Sequence, residues 1–392
     1  MIELTDSISK IFSRDSQDGY AILTYCDISI EFTNQTLEDC LQLIINKFPI
    51  LKQSIVEKNS SVFLEDDTTF NITNHYKIIY DSFDHFDSYI DPLLNSKFET
   101  KSKWLFHYLV DTSSKKYRTY FKIDHSYADG YKIIEMLMSP LQPINIPKQF
   151  KRSTTIWNTL YYIIIGTIVL FFNLCKILIE SLSLTPIPNI QKTDHLRCKH
   201  FKLSDIKHFA QKHNITVNDF LYALLVKTDS LYTNHKREIV TLSPINISGS
   251  QYLNNMAPIV NKITNTIDNK DLFQNVHHTF NSYKYSLYIP IVSFLLHYIV
   301  PIIPLYAQSS LYESVIYRCD YVYTNVIGPT HESFEDIHFL TLAKNKEIVF
   351  NIISSNDHIN IICSFKEGVL EDKRRFEECI YMAYEHLIKS EA

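Results

Sequence analysis

The apolar and polar positions of the first half alternate between strand-like and helix-like spacing. Residues 20–32, "YAILTYCDISIEF", alternate and are rich in β-branched and aromatic side chains, which predicts a strand. Residues 36–49, "TLEDCLQLIINKFP", carry apolar side chains on one helical face and end at a proline. Thr36 and Asp39 have the spacing of a capping box, so we expect this helix to begin at Thr36.

Two further strands and a helix follow in the first half. Residues 104–111, "WLFHYLVD", and 117–126, "YRTYFKIDHS", predict a hairpin, and residues 130–138 have the spacing of an amphipathic helix. Strands interspersed with helices in this way are typical of α/β or α+β folds.

The second half repeats this mixture of elements. Two helices are predicted, one opened by Ser204 and one whose capping box is Thr216 with Asp219. The remaining predicted elements are strands at 238–248 and 321–330, a hairpin at 348–365 that turns at 355–357, and a helix at 372–388.

The length of the chain predicts two domains or two tightly joined halves, because 392 residues exceed one usual core. We divide it into an N-terminal half (1–150), a hydrophobic connecting segment (151–185) and a C-terminal half (186–392).

Two long stretches carry no formal charge. Residues 153–175 follow Lys151 and Arg152 and are long enough to cross a bilayer. Residues 285–312 contain three prolines, which would interrupt a straight spanning helix.

Composition narrows the class of partner. A net charge of -5 without a long basic block argues against a nucleic-acid partner. The seven cysteines are scattered and odd in number, which favours reduced thiols over a disulfide framework or a zinc site. The first residues show no basic flank before an apolar run, so we expect no secretory signal.

The stretch "DHSYADG" (124–130) contains the strongest candidate for chemistry. A histidine at a strand end is held on rigid backbone, and its imidazole can accept a proton from a hydroxyl near neutral pH. Asp129 is placed to bond back to the loop or to pair with an arginine, and Gly130 lets the backbone bend. By spacing alone, such a motif is more often an ordinary turn than a catalytic site.

Other motifs occur with this one along the chain: "WLFHYLV", "TVNDFLYALL", "PINIS", "NNMAPIV" and "TNVIGP". Together they resemble the wax ester synthase/diacylglycerol acyltransferase family, over nearly the whole chain. The resemblance implies the two-subdomain, chloramphenicol acetyltransferase-like fold of CoA-dependent acyltransferases, with mixed sheets flanked by helices and a site between the halves.

The resemblance also implies roles for individual residues. His125 matches the general base of the family's His-His-x-x-x-Asp-Gly motif. Asp129 and Gly130 match the last two residues of the motif, which hold the loop and complete the turn. Asn218 matches the family's Asn-Asp pair and is a candidate substrate contact. Asn325 begins the Asn-Val-x-Gly-Pro turn and is a candidate contact or oxyanion donor.

Three features depart from the family pattern, one of them Ile327 where proline is usual in the family's Asn-Val-Pro-Gly-Pro turn. Asp124 stands where the first histidine of the motif is usual, and only Trp104 remains of a Pro-Leu-Trp motif, as a possible substrate contact. Neighbouring strand residues point to opposite faces, so Asp124 need not touch substrate, although its charge can act on His125.

Each of the other motifs also has a structural explanation. Thr216 and Asp219 suit a helix cap, Gly328 and Pro329 suit an ordinary turn, and the pair at 277–278 suits a helix surface. His208 and His213 are five residues apart, so we expect no metal site.

The resemblance implies an acyl-CoA:alcohol O-acyltransferase that makes wax ester or triacylglycerol, with acyl-CoA as co-substrate and no other cofactor. One alternative is an acyltransferase that acts on another alcohol or an amine. The other is a catalytically inactive protein of the same fold that binds lipid or CoA. A site shared between the halves forbids a single crossing at 153–175. We therefore expect both uncharged stretches to lie against one leaflet, at the cytosolic face of the endoplasmic reticulum or a lipid droplet, the alternative being burial in the core.

Overall fold

Strands and helices alternate through the described part of the chain. The computed structural model describes residues 2–4, 7–14, 20–58, 61–140, 156–168, 171–172, 175–176, 179, 192–198, 200–246, 256–265, 269–343 and 347–389. The strands are β1 (Ile2–Glu3), β2 (Ala21–Ile28), β3 (Gln53–Lys58), β4 (Ser61–Asp66), β5 (Tyr76–Tyr80), β6 (Trp104–Asp111), β7 (Lys116–Asp124), β8 (Thr193–Arg197), β9 (Phe201–Lys202), β10 (Glu238–Asn246), β11 (Met256–Thr264), β12 (Tyr321–Ile327), β13 (Phe334–Thr341), β14 (Ile348–Ser355) and β15 (His358–Lys366). The α-helices are α1 (Ser7–Arg14), α2 (Asn34–Lys47), α3 (Ile90–Asn95), α4 (Gly130–Met138), α5 (Ile156–Tyr161), α6 (Leu203–Lys212), α7 (Val217–Thr233), α8 (Asn269–Tyr285), α9 (Tyr288–Phe294), α10 (Leu305–Arg318) and α11 (Lys373–Lys389). Short 3₁₀ or π turns cover Pro49–Lys52, Ile72–Asn74, Phe83–Tyr89, Tyr162–Gly166, Leu295–Ile299 and Val300–Ile302.

The first large sheet has the strand order β13, β2, β7, β6, β5. The predicted hairpin is confirmed as the antiparallel pair β6 and β7. Alternate side chains of a strand point to opposite sides of a sheet, and both sides of this sheet pack in a hydrophobic core. Ile22 and Cys26 of β2 pack in the core that contains α2, whereas Leu23 and Tyr25 pack in the core that contains α3.

The second large sheet has the strand order β11, β10, β12, β14, β15, β8, and β9 also pairs with β15. Helices α6, α7 and α11 cover it with apolar side chains. The predicted hairpin of β14 and β15 and the C-terminal helix are confirmed. Its turn contains Asn356 with a φ of 51°, in the left-handed region that asparagine tolerates better than most residues.

The two halves are interlocked by β13. This strand comes late in the chain, yet it pairs antiparallel with β2 of the first sheet, with Leu340 opposite Leu23. It also contacts β14 and β15 of the second sheet. One strand of the C-terminal half therefore belongs to the N-terminal sheet. The predicted boundaries at 150 and 186 lie outside the described residues.

Two predicted helix starts are corrected by the structure. Helix α2 is capped by Thr33, whose hydroxyl accepts from the Thr36 N–H, so the capping box is Thr33 with Thr36 and not Thr36 with Asp39. Helix α6 begins one residue earlier than predicted, and its first turn is capped by a residue distant in the chain. The Asp357 carboxylate accepts hydrogen bonds from the N–H and the hydroxyl of Ser204 (2.8 and 2.9 Å). The Thr216–Asp219 box of α7 is confirmed.

The two uncharged stretches lie side by side. The Leu287 N–H donates to the Thr167 hydroxyl (2.9 Å), and the rings of Phe171 and Tyr288 lie 5.9 Å apart. Among the described helices, no single one is long and apolar enough to span a membrane. The pair Asp271–Tyr285 and Tyr288–Ile302, bent by 54°, meets the length and composition test only together.

Both stretches carry exposed large apolar side chains, which we call together the apolar face. It consists of large apolar side chains that are each at least 37% exposed: Trp157, Leu160, Tyr161, Ile164, Ile168, Phe172, Ile179, Leu287, Phe294, Tyr298, Ile299, Ile302, Ile303 and Tyr306. Burial in the core, the alternative considered above, does not hold for these side chains. Lys151 and Arg152 lie outside the described residues.

Candidate active site

His125 lies directly after β7, where the sheet holds its backbone. Its N–H donates to the carbonyl of Tyr20 (2.6 Å), one step beyond the pairing of Asp124 with Ala21. The residue is partly buried, so the imidazole is neither locked in the core nor fully in solvent. The strand end therefore presents a side chain that can exchange protons on a fixed piece of backbone.

The imidazole of His125 lies against a cluster of aromatic rings. The ring of Phe12, from α1, lies 4.2 Å from the ring of His125 between centroids, and it also contacts the rings of Tyr20 and Tyr312. The sequence analysis missed this cluster. The apolar positions 8, 11 and 12 have helical spacing and could have predicted α1, but nothing local places Phe12 beside His125.

Asp124 closes the turn in front of His125. Its buried carboxylate accepts from the N–H of Ser126 (2.9 Å) and from the Ser126 hydroxyl. The Lys103 ammonium lies 3.9 Å away; burial lowers the pKa of Lys103, and the negative charge of Asp124 opposes that shift. The carboxylate at this position therefore helps to hold the turn that follows β7.

The end of the motif joins the two halves. Asp129 caps α4 by accepting from the Lys132 N–H (2.9 Å), and it is buried. Gly130 opens the helix against β12: a β-carbon built at this position would lie 3.1 Å from Val326 Cγ2. The histidine loop therefore packs against the strand that carries Asn325.

Asn325 takes part in a polar network on this strand. Its Nδ2 donates to Asn218 Oδ1 (3.1 Å), and the hydroxyl of Tyr323 donates to the same oxygen (3.0 Å). Asn218 lies in the first turn of α7 and so links the helix start to β12. The structure thus brings together two residues that the sequence analysis selected separately.

The neighbouring Asp219 is held on two sides. It completes the capping box with Thr216, and His277 Nδ1 donates to its carboxylate (2.7 Å) while Asn281 donates to the other imidazole nitrogen. The prediction that 277–278 form a helix surface is therefore wrong for His277 and holds for the exposed His278.

Trp104 is a core residue. It is 1% exposed, its Nε1 donates to the Leu51 carbonyl (2.8 Å), and its ring stacks on His75 at 4.4 Å. The structure therefore does not support the expected contact between Trp104 and substrate. The indole has no accessible face, and its N–H group already donates a hydrogen bond.

One group of side chains in the described residues could hold a cation by distance alone: Asp91, Asp194 and His195, with ligand atoms within 4.8 Å of one another. His195 already pairs with Asp91, and Lys373 pairs with Asp194. None of these residues belongs to the site around His125.

Comparisons with known proteins agree with this architecture. The family model of the WS/DGAT C-terminal domain matches residues 254–388. The structure of the wax ester synthase/diacylglycerol acyltransferase from Marinobacter aquaeolei VT8 aligns with a TM-score of 0.61 at 12% identity, covering 98% of each chain. No curated protein matches the sequence.

Two further structures share the fold. The trichothecene 15-O-acetyltransferase TRI3 from Fusarium sporotrichioides aligns with a TM-score of 0.63 at 10% identity, covering 97% of this chain and 94% of its own. A starter condensation domain of rhizomide synthetase RzmA, in complex with C8-CoA and Leu-SNAC, aligns with a TM-score of 0.63 at 10% identity, covering 99% and 93%.

The protein therefore has the two-subdomain fold that was predicted from the sequence. It shares this fold with acyltransferases and condensation domains. Residues 254–388 are similar to the WS/DGAT C-terminal domain, which agrees with the family resemblance seen in the sequence.

Proposed function

We propose that this protein transfers an acyl group from acyl-CoA to the hydroxyl of a lipid alcohol, either a long-chain fatty alcohol or a diacylglycerol. The observation that carries this proposal is the position of His125, at a fixed strand end beside the contact between Gly130 and Val326. A histidine at the junction of the two halves is suited to act on two substrates.

In the proposed reaction His125 is the general base. Its imidazole takes the proton of the hydroxyl while the oxygen attacks the thioester carbon. The tetrahedral intermediate then collapses, the carbon–sulfur bond breaks, and the imidazolium returns the proton to the CoA thiolate. The ester and free CoA are the products, and no covalent acyl-enzyme is formed.

The oxyanion of that intermediate needs a hydrogen-bond donor. Asn325 is our candidate because its Nδ2 carries two N–H bonds, and the hydrogen bond to Asn218 Oδ1 uses one of them. Asn218 and Tyr323 would then orient the amide rather than contact the substrate. A backbone N–H near His125 is the alternative donor.

A catalytically silent protein on the same fold is the main rival, motivated by Asp124 in place of the usual histidine. The hydrogen bonds of Asp124 with Ser126 argue against it, because they give the carboxylate a structural role in the turn. Another acceptor, a different alcohol or an amine, is the second rival.

We also propose that the apolar face lies against one leaflet of a membrane or on a lipid droplet, at the cytosolic side of the endoplasmic reticulum. Large exposed apolar patches mark interaction surfaces, and this one combines aromatic and aliphatic side chains from both uncharged stretches. Such a position would deliver acceptors that are insoluble in water.

The test is an assay of the purified protein with radiolabelled palmitoyl-CoA and vesicles that contain hexadecanol, diacylglycerol, a sterol or a primary amine in turn. We expect labelled ester with hexadecanol or diacylglycerol. Product with only the sterol or the amine would replace the proposed acceptor, and no product with any acceptor would favour the silent rival.

A further inference from the structure

Two of the three departures from the family pattern lie against each other in the structure. Lys103 directly precedes Trp104, in the place of the leucine of the Pro-Leu-Trp motif, and Asp124 stands in the place of the first histidine. The Asp124 N–H donates to the Lys103 carbonyl (3.0 Å), one step beyond the pairing of Trp104 with Ile123. The Lys103 Nζ lies 3.9 Å from Asp124 Oδ2. The two residues are therefore cross-strand neighbours whose side chains meet.

The Asp124 carboxylate needs positive charge around it, because its side chain is fully buried and an ionised carboxylate is costly to remove from water. Lys103 supplies such a charge from a side chain that is 18% exposed. Lys122 lies two positions before Asp124, on the same face of β7. Burial lowers the pKa of Lys122 to about 8, and the negative charge of Asp124 opposes that shift. A leucine at residue 103 would leave the carboxylate more weakly compensated.

The same carboxylate helps to hold the turn that contains His125. Asp124 Oδ1 accepts from the N–H of Ser126 (2.9 Å), so the side chain bonds to the backbone two residues on and His125 is the residue enclosed. The Tyr127 N–H donates to the Asp124 carbonyl (3.0 Å) and closes this turn through the backbone. Lys103 lies at the other carboxylate oxygen, Oδ2, and so bears on the orientation in which Oδ1 meets Ser126.

We infer that Lys103 and Asp124 act as one compensating pair that positions the backbone of His125, an inference that rests on the proposed function. The lysine offsets the charge of the carboxylate, and the carboxylate holds the turn. The two departures are then a single coupled change from the family pattern, and neither marks a loss of catalysis. Both are positioning residues, because they act through the His125 turn rather than on the substrate.

The test is a double-mutant cycle that returns the pair to the family residues: Lys103→Leu, Asp124→His and the double variant. Lys103→Leu should lower the midpoint of thermal unfolding by about 5 °C, because it removes the counter-charge of a buried carboxylate. Each single variant should also lower kcat per folded protein by about tenfold and leave KM for palmitoyl-CoA unchanged, because a displaced base slows the reaction without weakening binding.

The double variant distinguishes a pair from two independent residues. Independent losses in kcat would multiply to about a hundredfold, whereas we expect recovery to within about threefold of the wild-type value, because the carboxylate and its counter-charge leave together. Lys58→Leu/Glu65→His is the matched control. It repeats the two substitutions on an exposed ion pair of β3 and β4 (3.4 Å) and should change neither kcat nor the unfolding midpoint.

Losses that multiply in kcat and shifts that add in the unfolding midpoint would overturn the inference and leave the proposed function standing. Coupled midpoints with multiplied losses in kcat would also overturn it, because the pair would then stabilise the fold without positioning His125. Absence of ester with the wild-type protein would overturn the proposed function and the positioning role together. If the double variant does not fold, Lys103→Leu/Asp124→Asn replaces it, since asparagine can also accept from the Ser126 N–H.

Discussion

Gly130 and Val326 touch across the junction of the two halves, with 3.1 Å between Val326 Cγ2 and the place of a β-carbon on Gly130. Gly130 follows the histidine loop, and Val326 follows Asn325. This contact therefore joins the histidine loop to the strand that carries the candidate oxyanion donor. A β-carbon at residue 130 would press on Val326 and displace the loop relative to that strand.

Gly130→Ala should lower kcat/KM for ester formation by about tenfold, because sub-ångström displacements of reacting groups are costly. The midpoint of thermal unfolding should change little, since alanine favours the helix that begins at this residue. The double variant Gly130→Ala/Val326→Ala, which removes the opposing methyl groups, should recover part of the lost activity. Wild-type activity in the single variant would show that the contact does not set the site geometry.

His125→Ala should reduce ester formation by about 10²–10⁴-fold, the usual contribution of a general base. The fold should survive, because the bond that fixes this residue comes from its backbone N–H. His278→Ala, an exposed histidine on α8, is the matched control and should be fully active. Turnover of the His125 variant at the wild-type rate would end the assignment.

Asp129→Ala should cost about 1 kcal/mol in the free energy of unfolding, the usual loss for an N-cap. The cause is the lost hydrogen bond to the Lys132 N–H. Asp129→Asn should restore most of the stability in urea unfolding, because asparagine also caps helices. A fully stable but inactive Asp129→Ala variant would contradict the structural role.

Tyr298→Ser/Tyr306→Ser should weaken sedimentation with phospholipid vesicles, since both side chains are large and exposed on the apolar face. Tyr80→Ser removes an equally exposed tyrosine from β5, outside that face, and should sediment like the wild-type protein. Equal loss in both variants, or loss in neither, would argue against the apolar face as the membrane contact.

Asp336 should make the protein acid-sensitive. Burial would raise its pKa, but contact with His338 and the positive charges of His200 and Arg197 lower it to about 2. A carboxyl whose pKa is lower in the folded state stabilises the fold above its unfolded pKa of 3.8, and that stability is lost as the pH falls towards 2. The loss should be on the order of 2 kcal/mol.

Urea unfolding between pH 7 and pH 2 measures this effect. Asp336→Asn should be less stable than the wild-type protein at neutral pH and should lose less stability between about pH 4 and pH 2, where the carboxyl titrates. If the free energy of unfolding falls in parallel for the two proteins between pH 7 and pH 2, Asp336 is not the cause of the acid sensitivity.

Local signals in the sequence predicted much of the fold. The Thr216–Asp219 capping box and the helix from Gly130 to Met138 follow from side chains only a few positions apart. The start of α2 was placed three residues late because Thr36 has a capping partner on either side, and the structure uses Thr33.

The candidate site was predicted only in part. The spacing of "DHSYADG" and its resemblance to a family motif are enough to select His125, Asp129 and Gly130. Trp104 was selected on the same kind of resemblance, but the structure buries it against His75 and Leu51. A motif records which residue types occur, and burial depends on what packs around them.

The sequence by itself determined the classes of the elements with regular apolar spacing, the turn at His125 and the two uncharged stretches, because these depend on residues within a few positions of one another. Only the tertiary structure decided that β13 joins the first sheet, that Asp357 caps α6, and that Phe12 lies on His125. Each of these contacts joins residues that are distant in the chain, and such pairings are selected by the packing of the whole chain rather than by local spacing.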